Sequence, residues 1–333
     1  MRIIIPMAGM GKRMRPHTLT IPKPLIPVAG KPIVHHLAET ITSTVKEPIE
    51  EIAFIIGDFG KEVEQSLLDI AASLGVPGTI HYQHEAQGTA HAVLCAASAL
   101  KGPVVVAFAD TLFRADFTID TKKDGIIWVH KVDNPSSFGV VKADANNIIT
   151  DFIEKPKEFV SDLAIIGIYF FRDGENLKKE LDYLIDNKIT GNNEYQLTDA
   201  LKNMQLKGIR FSTAVVDEWL DCGNKNATVS ANGRMLDFLP KEKQISASAA
   251  TTTSIIIPPC FIGENTVIEH SVIGPHVSIG NNTTITRSVI SNSIIQDYSM
   301  LTHVVLDNSM VGSYAVYTKD VDVISLGDYS VCE

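Results

Sequence analysis

The chain has 333 residues, of which 45% are apolar and 20% charged, a balance typical of a globular protein long enough to form two packed cores. Its formal net charge of -10 argues against a general nucleic-acid binder, because such proteins need a basic surface to displace the counterions of a polyanion. The amino terminus has only a short apolar run before glycines and charges. We therefore expect neither a signal peptide nor a membrane span and assign the protein to the cytoplasm.

From Arg2 to about Leu239, short strand-like apolar runs alternate with segments of helical period. The strand-like runs are RIIIPM, EIAFII, TIHYQ, VVVAFA and GIIWVH. Between the second and third runs, apolar residues recur at i, i+3, i+4 spacing on one helix face: Val63, Leu67, Ile70, Ala71 and Leu74. This alternation predicts an α/β fold with a Rossmann-like, mostly parallel sheet covered by helices.

From about Ser254, aliphatic residues recur at steps of five or six, a period that no helix has. They are Ile262, Ile268, Ile273, Ile279, Ile285, Ile290, Ile295, Leu301, Leu306 and Val311. The pattern resembles the hexapeptide-repeat, left-handed parallel β-helix family, in which aliphatic side chains stack inside triangular coils. We therefore predict an α/β domain over residues 1–240, a polar linker over 241–253 and a short β-helix over 254–333.

A glycine-rich segment follows the first strand: Ala8, Gly9, Met10, Gly11, Lys12 and Arg13. Glycines after a strand let backbone N–H groups approach a phosphate, while Arg13 and Lys23 supply positive charge. Taken alone, Gly9 and Gly11 fit an ordinary strand-to-helix turn equally well. Met14 stands where a dinucleotide fingerprint has its third glycine, and no G-K-[ST] is present, so neither that fingerprint nor a Walker loop is indicated.

The combined pattern A-G-x-G-x-R-M-x-P, followed by P-K-P-L, resembles the signature of the sugar-phosphate nucleotidyltransferases. The resemblance implies a magnesium-dependent enzyme that joins a sugar 1-phosphate to a nucleoside triphosphate and releases pyrophosphate. It implies that the segment from Ala8 to Arg13 holds the triphosphate and that Lys23 contacts the α-phosphate region. Lys12 departs from the threonine or serine usual in the family.

The segment HYQHEAQGTAHAVLCA resembles the family's nucleobase region, in which a glutamine five residues before a G-T pair reads the base edge. The resemblance therefore assigns Gln83, Gly88 and Thr89 to nucleotide binding. A carboxamide can donate and accept at once, as pairing with a pyrimidine edge requires. Without the glycine-rich motif, a solvated turn would be the better interpretation.

The run VVVAFADTLF places Asp110 at the carboxyl end of a buried strand, where ligands bind in open α/β sheets. A buried strand that ends in aspartate is otherwise often only a helix cap. In the family this aspartate binds magnesium together with one in a W-L-D-x-G segment, which here is Asp221. Mg²⁺ prefers hard oxygen ligands from one or two carboxylates plus substrate phosphates. The resemblance also makes Arg13, Lys23 and Asp110 the catalytic residues.

The resemblance assigns the sugar 1-phosphate to residues of three further motifs. Gly139 of F-G-V and Glu154 of E-K-P hold sugar hydroxyls in the family, and Lys155 holds the sugar phosphate. Many relatives have asparagine where this chain has Ile165, so a sugar contact is missing or replaced there. Gln196 lies in a further family segment near the sugar. The alternatives are a surface ion pair for Glu154 and Lys155 and ordinary helix-start chemistry around Gln196.

Among the family's reactions we expect glucose-1-phosphate thymidylyl transfer. The alternatives are uridylyl transfer from UTP to glucose 1-phosphate and guanylyl transfer to mannose 1-phosphate; Gln83 favours dTTP or UTP. Two alternatives of other classes remain: a hexapeptide acyltransferase, with His270, His276 and His303 as candidate bases, and a non-catalytic assembly or regulatory subunit. The β-helix is expected to pack against the catalytic domain or against another subunit, and the second arrangement would give a homo-oligomer.

Overall fold

The computed structural model describes residues 1–114, 119–191, 193–325 and 329. The chain forms two compact units: Met1–Ile26 with Lys31–Asn224, and Pro27–Gly30 with Lys225–Glu333. The division after Asn224 precedes the linker at residues 241–253 that the sequence predicts, because the helix Lys225–Phe238 groups with the second unit. In the described part of the chain, no helix has both the length and the apolar character needed to cross a bilayer.

Strands and helices alternate up to residue 221, and all of these strands except Pro27–Val28 belong to the first unit. The strands up to residue 221 are, in chain order, β1 (Arg2–Pro6), β2 (Pro27–Val28), β3 (Lys31–Pro32), β4 (Glu51–Ile56), β5 (Gly78–Tyr82), β6 (Val104–Ala107), β7 (Thr111–Arg114), β8 (Gly125–Lys131), β9 (Gly139–Ala143), β10 (Ile149–Glu154), β11 (Leu163–Phe171), β12 (Phe211–Val215) and β13 (Glu218–Asp221). The helices are α1 (Ile33–Thr44), α2 (Lys61–Ser73), α3 (Thr89–Leu94), α4 (Gly174–Asp186), α5 (Leu197–Leu206) and, in the second unit, α6 (Lys225–Phe238).

The main sheet has the strand order β10-β9-β11-β6-β1-β4-β5, and β8 pairs with both β11 and β12. Strands β6, β1, β4 and β5 are parallel to one another, whereas β11 runs antiparallel to β6 and β8. Helices cover this sheet, so its central strands are almost continuously aliphatic; Ile3, Ile4 and Ile5 of β1 are fully buried. The predicted α/β fold is confirmed.

The helix predicted between the second and third strands is α2. It buries Val63, Leu67, Ile70 and Ala71, while Leu74 follows the last helical residue as its C-cap. The carboxyl ends of β1 and β6 lie side by side because the two strands are parallel neighbours, with Ile4 opposite Val106. Residues 7–13 and Asp110 therefore leave the sheet at the same edge.

The second unit is a stack of short parallel strands. They are β14 (Ala250–Thr252), β15 (Ile255–Ile256), β16 (Cys260–Ile262), β17 (Val267–Glu269), β18 (Val272–Ile273), β19 (Val277–Ile279), β20 (Thr284–Thr286), β21 (Val289–Ile290), β22 (Ser293–Ile295), β23 (Met300–Thr302), β24 (Val305–Leu306), β25 (Met310–Val311) and β26 (Val316–Thr318). They form three sheets, each made by every third strand, as a β-helix requires. Its core contains the predicted aliphatic residues from Ile262 to Leu301, with Leu306 and Val311 partly buried against it.

Helix α6 packs on β19 and β22 of this stack. Its Asn232 is fully buried, and its Oδ1 accepts hydrogen bonds from the Ser278 hydroxyl at 2.6 Å and the Ala29 amide at 2.9 Å. Of the three histidines considered for acyl transfer, His276 lies 2.9 Å from Asp237 through Nε2, and His303 lies 3.5 Å from Arg287. His270 follows β17 at an exposed corner with a positive φ of 50°.

Candidate active site

Two cavities adjoin at the sheet edge formed by the ends of β1 and β6. The first, of about 430 Å³, is lined by the glycine-rich segment, Lys23, Gln83, Gly88 and Glu194. The second, of about 480 Å³, is lined by Gly139, Glu154, Ile165, Gln196 and Asp221. Both cavities share four lining residues: Arg13, Thr89, Phe108 and Asp110. Apart from Met10 and Lys155, the residues predicted for nucleotide and for sugar thus line two adjacent cavities, and both cavities are bordered by Asp110.

The glycine-rich segment forms one wall of the first cavity. A Cβ on Gly9 would meet nothing within 4 Å, so the backbone there borders open space. Gly11 has a left-handed φ of 55°, and a Cβ on it would lie 3.0 Å from Cβ of Lys23, so any other residue there would be strained and tightly packed. Ala8, Lys12 and Arg13 also line the cavity. Met10 is 61% exposed and is not among the lining residues.

Lys23 and Asp110 form an ion pair at the border of the two cavities. Nζ of Lys23 lies 3.2 Å from Oδ2 of Asp110, with the lysine side chain 11% exposed and the aspartate 49% exposed. The lysine stem is therefore packed in the protein, and its charge is directed at a carboxylate that solvent or a ligand can reach.

A two-stranded antiparallel sheet brings Asp221 to Asp110. Strand β13 pairs with β7 so that Asp221 lies opposite Thr111, and the Cys222 amide donates to the Asp110 carbonyl at 3.1 Å. Burial and the negative charge of Asp110 raise the pKa of Asp221, although the Gly223 amide donates to its Oδ1 at 2.9 Å. A Cβ on Gly223 would lie 2.9 Å from Asp221 Oδ1 and 3.1 Å from Arg13 Nη2. The structure therefore gathers two carboxylates and two cations at one place.

Gly88 and Thr89 fix the segment around Tyr195 against the first cavity. Gly88 has a φ of 113°, and a Cβ on it would lie 2.5 Å from the Tyr195 carbonyl oxygen. The Thr89 hydroxyl accepts from the Leu197 amide at 2.9 Å and lies 3.4 Å from Oε1 of Gln196. The close approach of the chain at Gly88 and the hydroxyl contact of Thr89 with the Leu197 amide account for these two residue types without any ligand. The position of Tyr195 could not be read from the sequence, because it depends on a contact across more than one hundred residues.

Glu154, Ile165 and Thr198 converge on Gly139 in the second cavity. A Cβ on Gly139 would lie 2.9 Å from Oε2 of Glu154 and 3.5 Å from Cδ1 of Ile165. The Thr198 hydroxyl lies 3.4 Å from the same Glu154 oxygen. Burial raises the pKa of Glu154, and the positive charge of Lys155 opposes this rise. Gln196 is buried, with Nε2 3.2 Å from Glu194 Oε2.

Lys155 differs from the other predicted sugar-site residues. It is exposed, has a positive φ of 43°, and does not line either of these cavities. Its backbone amide donates to the Phe138 carbonyl at 3.1 Å. Lys155 thus adjoins two residues that line the second cavity, Glu154 in the chain and Phe138 by this hydrogen bond, but it does not itself line the cavity.

An aromatic wall of the second cavity was not among the predicted site residues. Trp219 and Phe138 line it with ring centroids 5.0 Å apart, and Tyr169 lines it with a pKa raised by burial. The Trp219 Nε1–H donates to the Thr111 hydroxyl at 3.2 Å. A signal for Trp219 was present in the sequence, since it precedes Asp221 by two residues and side chains two apart in a strand share a face.

Known proteins resemble the chain in both sequence and fold. Residues 2–237 match the family model described as nucleotidyl transferase. The chain is 32% identical over 260 residues to the bifunctional protein GlmU of Methanococcus maripaludis, a match that covers 77% of this chain and 59% of that protein. It is 30% identical to a glucose-1-phosphate thymidylyltransferase of Streptomyces antibioticus, over 100% of this chain and 99% of that one.

The bifunctional relatives are longer than this chain, which spans about three fifths of their length. Among solved structures, a UDP-glucose pyrophosphorylase complexed with UDP-glucose superimposes with a TM-score of 0.60 at 23% identity, covering 72% of this chain and 99% of that one. At that identity the likeness concerns the fold alone.

Proposed function

Since the chain belongs to the nucleotidyl transferase family, we propose that its first unit joins a nucleoside triphosphate to a sugar 1-phosphate and releases pyrophosphate. The observation that carries this proposal is the pair of adjacent cavities that share Arg13, Thr89, Phe108 and Asp110. A transfer between two bound substrates needs such adjoining sites, because the acceptor phosphate must approach the α-phosphorus of the nucleotide in line.

We assign the nucleoside triphosphate to the first cavity. The open backbone at Gly9 leaves room for phosphate oxygens beside the N–H groups of the segment from Ala8 to Arg13. Arg13 and Lys23 are assigned to the α-phosphate region, where they would supply positive charge, and Gln83, which lines the same cavity, is assigned to the nucleobase. In a chain of net charge -10, these local cations are what attracts a polyanion.

We assign Mg²⁺ to Asp110 and Asp221. Among the described residues no group of three acidic, histidine or cysteine side chains could hold a metal ion, but Mg²⁺ needs only one or two carboxylates when phosphates complete its shell. The fit is supported by the closeness of the two carboxylates: burial, and after it the negative charge of Asp110, raises the pKa of Asp221, and a cation bound there would favour the ionised form against both effects. When bound, the ion would neutralise charge on the phosphates.

The sugar 1-phosphate is assigned to the second cavity. Glu154 can accept hydrogen bonds from sugar hydroxyls beside Gly139, and Trp219 offers an apolar face for the ring. The phosphate is largely a dianion at neutral pH, since its second pKa is about 6, so the attack needs no general base. Lys155 is proposed to meet this phosphate from outside the cavity wall. Arg13, shared by both cavities, is placed to stabilise charge as pyrophosphate leaves.

For the substrates we propose dTTP and glucose 1-phosphate. The full-length similarity to a glucose-1-phosphate thymidylyltransferase supports this choice, and the UTP and the GTP–mannose alternatives remain open to the same test. Self-association through the β-helix stays a prediction.

A substrate grid tests the proposal. Purified full-length protein with MgCl₂ is given dTTP, UTP, GTP, CTP or ATP with glucose, galactose, mannose or N-acetylglucosamine 1-phosphate, and pyrophosphate is measured. We expect release that requires both substrates and is abolished by EDTA. Absence of release for every pair would contradict the proposed reaction, and release with a different preferred pair would correct the substrates alone. Free thiol from acetyl-CoA, measured in parallel, tests the acyltransferase alternative.

A further inference from the structure

The Gln83 side chain is held by two neighbours. Its Nε2 donates to the Gly88 carbonyl at 3.3 Å and lies 3.1 Å from Nδ1 of His91 in the helix α3. Both side chains are half-buried, and Gln83 lines the first cavity. The sequence predicts a carboxamide that both donates and accepts toward a ligand, but here the amide nitrogen is engaged within the protein.

The Gly88 carbonyl oxygen and Nδ1 of His91 together determine which way the amide faces. Rotating it by half a turn would place Oε1 against the Gly88 carbonyl oxygen, so that two acceptors would face each other. In the observed orientation, the two Nε2 hydrogens serve Gly88 and His91. Within the described part of the chain, Oε1 of Gln83 has no hydrogen-bond partner, so an acceptor is what the side chain has left to offer a ligand.

His91 can accept this hydrogen bond at neutral pH. Burial lowers the pKa of His91, and the carboxylate of Glu85 opposes that effect only in part. The neutral ring carries its proton on one nitrogen, and a proton on Nε2 leaves Nδ1 free as an acceptor.

Building on the proposed function, we propose that His91 is a positioning residue that locks the Gln83 carboxamide and thereby selects the nucleobase. With Nε2 occupied, the base site presents the acceptor Oε1 alone. Where Oε1 faces ring position 3, thymine and uracil donate to it through N3–H, whereas cytosine has an acceptor at N3 and can donate only through its exocyclic N4 amino group, which requires the base to shift. The lock therefore favours imide pyrimidines over cytosine, since cytosine in the unshifted position sets one acceptor against another and loses a hydrogen bond.

Two substitutions separate the lock from simple packing. His91→Leu removes the acceptor, whereas His91→Asn restores one, because Oδ1 of asparagine is bonded to Cγ as Nδ1 of histidine is. His84→Leu serves as a matched control on the same segment, since His84 is exposed and stacks on Tyr82. The nucleotide pairs are dTTP with 5-methyl-dCTP and UTP with CTP, which differ within each pair only at the ring edge that Gln83 would meet.

Steady-state kinetics at saturating sugar 1-phosphate, with melting temperatures as a folding check, give the test. For His91→Leu we expect the KM for dTTP to rise about three- to tenfold with kcat nearly unchanged, and the preference for dTTP over 5-methyl-dCTP to fall by a similar factor, as loss of one hydrogen bond predicts. His91→Asn and His84→Leu should keep the wild-type preference.

Three outcomes would contradict the proposed positioning of Gln83 by His91. They are an unchanged nucleotide preference in folded His91→Leu, an equal rise in KM for both members of a pair, and an asparagine variant that behaves like the leucine variant. If His91→Leu fails to fold, the affinities of wild type and His91→Asn for dTTP and 5-methyl-dCTP are measured by calorimetry instead. A His91→Asn variant that no longer prefers dTTP over 5-methyl-dCTP would contradict the proposal. These results are distinct from failure of the proposed function, which would appear as a wild-type protein that neither releases pyrophosphate nor binds a nucleotide.

Discussion

Asp110 borders both cavities and forms an ion pair with Lys23. Asp110→Asn keeps the shape of the side chain but removes its charge. We expect pyrophosphate release to fall about 10²-fold or more, as for the loss of one preorganised charge at a reacting phosphate. The melting temperature should change little, because the carboxylate is half exposed and such ion pairs contribute little to stability.

The exposed Asp69 on α2 supplies the control for this test. Asp69→Asn removes the same charge at a residue that lines neither cavity, and it should leave turnover unchanged. Near-normal turnover of Asp110→Asn at saturating MgCl₂ would contradict the metal assignment.

The ionised side chain of Glu154, a residue of the proposed sugar site, lowers the stability of the folded protein. Because burial raises its pKa, the native state binds this proton more tightly than the unfolded chain does. The stabilising contribution of the protonated form is complete below the unfolded pKa of about 4.3 and is lost as the pH rises through the raised native pKa. At neutral pH the ionised carboxylate is therefore unfavourable in its buried position.

Glu154→Gln removes that unfavourable charge. We expect the variant to melt at a higher temperature than the wild type at pH 7 to 8, and the difference to vanish below about pH 4, where the wild-type carboxyl is also neutral. The KM for sugar 1-phosphate should rise at the same time. Paired melting curves across this pH range give the measurement, and a variant less stable than the wild type at pH 8 would contradict the sign.

At the scale of elements, Gly9 and Gly88 line the same cavity but differ in what a side chain on them would meet. Gly88→Ala would place a methyl group 2.5 Å from the Tyr195 carbonyl at a φ of 113°, so we expect a loss of stability of a few kcal/mol, about 1–3 from the backbone strain alone. Gly9→Ala would meet nothing within 4 Å. We expect it to leave the melting temperature unchanged and to raise the nucleotide KM.

Denaturation and nucleotide kinetics on the two variants provide the measurement. The contrast itself is the control, since both changes add one methyl group to the wall of the same cavity. If Gly9→Ala left nucleotide binding unaffected, the phosphate would have to lie elsewhere.

Local sequence patterns predicted much of the fold, because burial of a strand or a helix face leaves a period that can be read from neighbouring residues. The strand Glu51–Ile56, helix α2 and the aliphatic stack of the β-helix are of this kind. The pairing of β7 with β13 joins residues more than one hundred apart, and no period records it. Family resemblance, not periodicity, anticipated that Asp221 belongs with Asp110. Trp219 precedes Asp221 by two residues in the same strand, so that spacing could have predicted it once Asp221 was assigned. The positive φ of Lys155 and the exposure of its side chain are likewise recorded in no local sequence period.

At the scale of the whole molecule, each unit has its own hydrophobic core. Ile285 on β20 is fully buried between Ile268 and Leu301 in the core of the β-helix. Ile285→Ala should destabilise that unit by about 2–5 kcal/mol, the usual cost of such a cavity. Val289→Ala, on the outward face of the neighbouring strand, is the control and should cost little because Val289 is 47% exposed.

The two tryptophans allow the unfolding of the first unit to be measured separately from that of the second. Trp128 and Trp219 are the only tryptophans of the sequence, and both belong to the first unit, so their fluorescence reports its unfolding alone, while circular dichroism reports both units. Because separate cores allow separate transitions, we expect urea to unfold the Ile285→Ala β-helix at a lower concentration by circular dichroism, with the tryptophan midpoint unmoved. A fluorescence midpoint that shifts by the same amount would show instead that the two cores unfold as one cooperative unit.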